Sequence, residues 1–117
     1  MSERIVVYGL LRRGERMFEL LGDAPFLGSV RVPGYDLHDL GRYPAALPGE
    51  GGITGEVYEV EDLDLLDDAE GVHFDPPLYR RVRVEALGAP AWLYVYARDP
   101  KGAPRIASGD WKKRYDK

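Results

Sequence analysis

The 117-residue sequence predicts an α+β domain, a small curled sheet or mixed β-barrel of short strands carrying two short helices. Apolar runs of strand length recur between turn residues along most of the chain, and only two stretches carry helical spacing. Fourteen glycines and nine prolines, counted as Gly 14 and Pro 9, punctuate the sequence too densely for a helical bundle. The length suits a single domain, residues 1–117, which buries roughly two-thirds of the unfolded chain's surface without covalent staples.

Each element has its own warrant. Arg4 to Gly9 is a β-branched and aromatic run closed by glycine, which predicts a buried strand ending in a tight turn. From Glu15, the residues Met17, Leu20 and Leu21 recur at i, i+3 and i+4 before Gly22, so a short helix is expected. Between Pro25 and Val60, Gly28, Pro33-Gly34, Gly41, Pro44, Pro48 and Gly49-Glu50-Gly51-Gly52 separate apolar segments, predicting several short antiparallel strands. Asp62 to Glu70 offers Asp62 as N-cap, leucines at helical spacing and Gly71 as a stop, the second helix. After Pro76-Pro77, Leu78 to Ala86 and Ala91 to Arg98 form a hairpin through Leu87-Gly88-Ala89-Pro90. In its first strand Val82 and Val84 share a face with Leu78, while Tyr79, Arg81 and Arg83 take the other, so one face is expected to be core and one polar.

Composition narrows the function classes. Sixteen basic against 20 acidic residues give −4, which opposes the counterion-release attraction of nucleic-acid binders and argues against a small barrel gripping single strands through Tyr and Arg. With Cys 0 there is no thiol nucleophile, Cys-based zinc site or disulfide. The apolar run Ile5 to Tyr8 is too short for a signal-peptide core, and Ala91 to Ala97 falls well below the roughly 20 residues of a membrane span, so a cytoplasmic protein without a membrane partner is expected. Asn and Gln are absent as well, a pattern expected of a thermostable protein.

Few groups are left to do chemistry. Leu63, Leu66 and Glu70 stand at i, i+3 and i+7, so the Glu70 carboxylate shares the face of buried leucines. Desolvation there raises a carboxyl pKa toward the range of a general acid or base; the plainer alternatives are a helix end reaching solvent or a pair with Arg81. The turn Tyr8-Gly9-Leu10-Leu11-Arg12 follows a strand and presents successive backbone N–H groups, either a cradle for a carboxylate or oxyanion or an ordinary tight turn. Without a Gly-Lys-Ser/Thr tripeptide it is no nucleotide-binding P-loop. His38 and His73 lack metal-ligand spacing and read as structural or exposed, and Ser108 has no nucleophile elbow around it. Tyr43-Pro44 and Tyr79 suit a pocket wall or core packing, and Lys112-Lys113-Arg114 reads as a solvated basic tail.

Taken in order, Tyr8-Gly9-Leu10-Leu11-Arg12, Leu40-Gly41-Arg42-Tyr43-Pro44-Ala45, Gly55-Glu56-Val57-Tyr58, Leu66-Asp67-Asp68-Ala69-Glu70-Gly71, Tyr79-Arg80-Arg81, Trp92-Leu93-Tyr94-Val95-Tyr96 and Ser108-Gly109-Asp110-Trp111 resemble the γ-glutamylcyclotransferase-like, avirulence-induced-gene-like family over nearly the whole chain. The resemblance implies a compact mixed α+β barrel that releases 5-oxoproline and a free amine from a γ-glutamyl amine or related small amide, with no metal or organic cofactor. It casts Glu70 as the catalytic glutamate, a general acid/base, and Tyr8, Gly9, Leu10 and Leu11 as the substrate-binding turn. The family usually has serine or threonine after Tyr-Gly, where this chain has Leu10, so one side-chain hydroxyl is lost and the backbone donors remain. A non-catalytic module binding a small carboxylate in the same cavity is the alternative.

Overall fold

Ile5, Val6 and Val7 place β1 (Glu3–Val7) at the centre of the molecule, because three consecutive apolar residues leave neither strand face for water; all three are at most 3% exposed. The structure is a computed structural model that describes residues 2–115. β1 runs antiparallel to β3 (Pro44–Val60), with Val6 opposite Val57, and parallel to β5 (Ala89–Tyr96), with Val6 opposite Leu93. β2 (Phe26–Asp39) adds to the outer edge of β3 and β4 (Tyr79–Ala86) to that of β5, giving one mixed five-stranded sheet in the order β2-β3-β1-β5-β4. It curls into a half-barrel, so that Leu87, after β4, packs over Gly28 of β2.

The several short strands expected between Pro25 and Val60 are instead two long bent ones of 14 and 17 residues. Apart from Gly41, in the turn between the two strands, the punctuating residues lie inside them: the register slips between Phe26 and Gly28 and between Pro33 and Tyr35, so Gly28 and Gly34 act as bulges that curl the sheet rather than as strand ends. In the β4–β5 hairpin the turn contracts to Leu87-Gly88, both at positive φ, and Ala89 and Pro90 join β5.

The segment from Glu15 is not an α-helix. Met17 N–H is drawn back to the Leu10 carbonyl at 3.0 Å, and only Phe18–Leu21 forms a short 3-10 helix before Gly22. The second expected helix is α1 (Asp64–Ala69), shorter than its leucine pattern: its N-cap is Leu63 rather than the expected Asp62, whose carboxylate accepts the Asp64 N–H at 2.7 Å from one residue earlier, Glu70 is its C-cap, and Gly71 at φ 66° turns the chain away.

Apolar clusters cover both faces of the sheet; on β4 the expected polar face holds at Arg83, which is exposed, but not at Tyr79. On one side Val6, Val57, Leu93, Val82 and Val84 pack beneath Ile106 and Trp111 of the C-terminal segment. On the other, Ile5, Val7, Tyr58 and Tyr79 pack beneath Leu21 and α1's Leu66. Tyr79 is therefore buried at 4% exposure, and Arg81 and Arg83 lie over the Trp92 ring at 4.5 and 4.3 Å.

Candidate active site

The site lies where β1 ends. Tyr8 to Leu11 turns across that end, closed by Arg12 N–H to the Gly9 carbonyl at 3.0 Å and by Met17 N–H to the Leu10 carbonyl. Gly9 is required by space: a Cβ would stand 2.5 Å from Cγ of Pro44, so any side chain forces the turn off β3. Among the described residues the Leu10 and Leu11 N–H groups donate to no protein acceptor. The Tyr8 hydroxyl is already engaged, donating to the Tyr94 carbonyl at 2.6 Å and accepting the Ala46 N–H at 3.3 Å, so Tyr8 fixes the turn to β5 and β3.

This turn is one wall of a cavity of about 230 Å³. At about 30 Å³ per water that is room for roughly seven waters, the scale of a small polar ligand. Tyr43 and Pro44 line it too, with Pro44 packed against Gly9, as do Leu78, Tyr79 and Tyr94. Tyr79 donates to the Pro44 carbonyl at 2.5 Å and its ring meets those of Tyr43 and Tyr96 at 6.2 and 5.4 Å, which holds Pro44 against Gly9.

Glu70 enters this space from the end of α1, because Leu63 and Leu66 bury the same helix face. Burial pushes its carboxyl up from the usual 4.5 to about 7. Arg81 does not relieve it: that guanidinium pairs with Asp67 at 3.0 Å, and Asp67 also accepts the Tyr94 hydroxyl at 2.7 Å. Among the described residues the Glu70 carboxylate has no hydrogen-bond or ion-pair partner, so the pair with Arg81 is not the arrangement found; the side chain is half-buried at the helix end and lines the cavity. Tyr8 and Tyr79 are also held above the ordinary phenol range, by burial first; the Glu70 carboxylate adds to this at Tyr8, and Tyr8 and then Glu70 add to it at Tyr79.

Glu70 and residues 8–11 thus meet in one cavity, with Tyr43, Pro44 and Tyr79 around them. His38 lies elsewhere, its Nδ1 3.2 Å from the Ala103 carbonyl; His73 is exposed, and the Ser108 hydroxyl accepts the Asp110 N–H at 3.1 Å. The basic tail is only partly solvated, since Lys112 Nζ reaches the Arg13 carbonyl and the Arg114 guanidinium lies 3.9 Å over Trp111.

The sequence reading missed the brace beneath the turn. Arg12 is 7% exposed and donates to Glu56 at 3.0 Å and to Asp110 at 2.6 Å. Glu56 also accepts the Arg13 N–H and the Tyr58 hydroxyl, each at 2.9 Å. Burial alone would raise Glu56, but these donors and the Arg12 charge hold it below the usual carboxylate range; Asp110 is lowered in the same way by Arg12 and the Lys112 N–H. One signal was available: period-two alternation puts Glu56 on the buried face of Tyr58 and Val60. Arg16, which lines the cavity, carried no periodic signal at all.

Comparison with known proteins decides the lineage. Residues 5–113 match the family described as gamma-glutamyl cyclotransferase, AIG2-like. The chain belongs to this family. Gamma-glutamylcyclotransferase family protein YtfP of Escherichia coli (strain K12) is 36% identical over 111 residues, 95% of this chain and 97% of that protein. The crystal structure of a Pyrococcus horikoshii protein superposes with a TM-score of 0.79 at 35% identity, covering 95% of this chain and 91% of that one. An aig2-like protein from Mus musculus gives a TM-score of 0.70 at 30% identity over 88% of this chain and 84% of its own. The half-barrel is thus the family's fold, and the cavity at the end of β1 is the place to look for the family's chemistry.

Proposed function

We propose that the chain is a gamma-glutamylcyclotransferase that releases 5-oxoproline and a free amine from a gamma-glutamyl amine or a related small amide. The observation that carries this reading is a carboxyl, Glu70, raised to about 7 and without a partner among the described residues, lining the same cavity as Leu10 and Leu11, whose N–H groups meet no acceptor among those residues.

The reaction is an intramolecular aminolysis. Ionised Glu70 takes a proton from the substrate's α-ammonium, and the freed nitrogen attacks the γ-carbonyl carbon. The turn N–H groups stabilise the tetrahedral oxyanion as it forms. Collapse breaks the bond to the departing nitrogen while Glu70 returns the proton to it. The ring nitrogen's remaining extra proton then passes through the same carboxyl to the freed amine, leaving the neutral lactam of 5-oxoproline and an ammonium product, so one carboxyl serves as base and then as acid. A confined cavity also folds the flexible glutamyl chain into its ring-forming conformation. Because the N–H donors belong to the backbone, Leu10 in place of a hydroxyl residue leaves them intact.

The test is mass-spectrometric detection of 5-oxoproline from wild type and Glu70→Gln given γ-glutamyl amines and dipeptides. Product from the wild type is expected, with at least about a 100-fold loss in the variant and no change in its circular dichroism. A variant working at the wild-type rate overturns the role of Glu70. No product from either protein, with thermal stabilisation by a small carboxylate, replaces the reaction with the carboxylate-binding module.

A further inference from the structure

Among the described residues two charged side chains line the cavity, Glu70, half-buried, and Arg16, at the exposed rim. Arg16 is exposed, and one of its N–H groups donates across the opening to the Arg42 carbonyl at 3.3 Å, immediately before the Tyr43-Pro44 wall. No carboxylate pairs with Arg16 among the described residues, so most of its five donors are free to meet a ligand. An exposed guanidinium spanning an opening is suited to bidentate recognition of a carboxylate outside the reacting centre.

Substrate orientation follows from the two ends of the cavity. The α-amino group must reach Glu70 and the γ-carbonyl must reach the Leu10–Leu11 amides, so the glutamyl part occupies the interior. The amine that leaves then points outward, toward Arg16. We propose that Arg16 is a specificity-determining residue that makes the site select amides whose departing amine carries a carboxylate, over neutral alkylamines. This rests on the cyclotransferase reading above.

Two nearly isosteric substrates isolate the effect: γ-glutamylglycine, whose departing group is anionic, and γ-glutamylglycinamide, whose departing group is neutral. Wild type is expected to favour the first by about fivefold in kcat/KM, the scale of an exposed charge pair. Arg16→Gln should bring the ratio near one, Arg16→Glu should invert it, and Arg16→Lys should restore part of it. A ratio that Arg16→Gln does not move, or an equal loss on both substrates, overturns the proposal, the second because Arg16 would then read the shared glutamyl end. Titration calorimetry of the same two compounds on Glu70→Gln and on Glu70→Gln combined with Arg16→Gln separates the two readings. If wild type makes no 5-oxoproline but the affinity ratio still collapses with Arg16→Gln, the reaction fails and the selectivity stands; if 5-oxoproline forms and neither ratio moves, the reverse holds.

Discussion

Glu70 makes the protein's stability depend on pH in a direction opposite to most carboxylates. Its pKa is about 7 when folded and near the usual 4.5 when unfolded, so between these values the unfolded chain binds fewer protons. The stability contributed by the neutral form is complete below the unfolded value and is lost as the pH rises through about 7. Glu70→Gln stays neutral throughout. At pH 8 it should therefore be more stable than wild type by on the order of 2–3 kcal/mol, with little difference at pH 4, as read from urea midpoints at the two pH values. Equal midpoints at pH 8 would mean that the carboxylate is solvated. The inward direction of Glu70 was legible from its spacing to Leu63 and Leu66, whereas the lack of a partner was not: Arg81 was an equally available cation until the fold gave it to Asp67.

The substrate turn and its supports behave as one element. Arg12 follows that turn directly and ties it to β3 through Glu56 and to the C-terminal segment through Asp110. Removing it leaves the buried Glu56 and the half-buried Asp110 without their cation, so Arg12→Ala should cost about 3–5 kcal/mol. Arg12→Lys should recover only part, because an ammonium cannot serve both acids with the guanidinium's geometry. Denaturation midpoints of the two variants check this, and a cost below about 1 kcal/mol for Arg12→Ala would show that the brace contributes no more than an exposed pair. At this scale sequence patterning succeeded where local apolarity decides, on both faces of β1 and on one face of α1, and failed where long-range bonds compete. The stretch from Glu15 has helical spacing, but Met17 N–H serves the Leu10 carbonyl and Trp111 Nε1 donates to Glu15 at 3.1 Å, which leaves one turn of 3-10 helix.

For the whole molecule, the C-terminal segment is a strap that completes the core. Ile106 N–H donates to the Leu37 carbonyl at 2.7 Å, Thr54 N–H donates to the Gly109 carbonyl at 2.8 Å, and Trp111 is 1% exposed against the inner face of the sheet. Trp111→Ala should cost about 3–5 kcal/mol by removing the largest side chain of that core. A lower urea midpoint with an unchanged slope is expected; a shallower slope would instead mean that the strap unfolds on its own.

Local sequence determined which segments are apolar enough to form strands, where α1 stops, and which carboxylate faces inward, because each of these depends on neighbours within a turn or two of chain. The family resemblance was legible for the same reason, in short motifs kept in order. Tertiary structure decided the rest. It made punctuated segments into two long bulged strands, covered both faces of the sheet, gave Arg81 to Asp67, and set Arg16 across the cavity mouth. These outcomes depend on contacts between residues far apart in sequence, such as Arg12 with Asp110 and Gly9 with Pro44, whose geometry exists only once the sheet has curled.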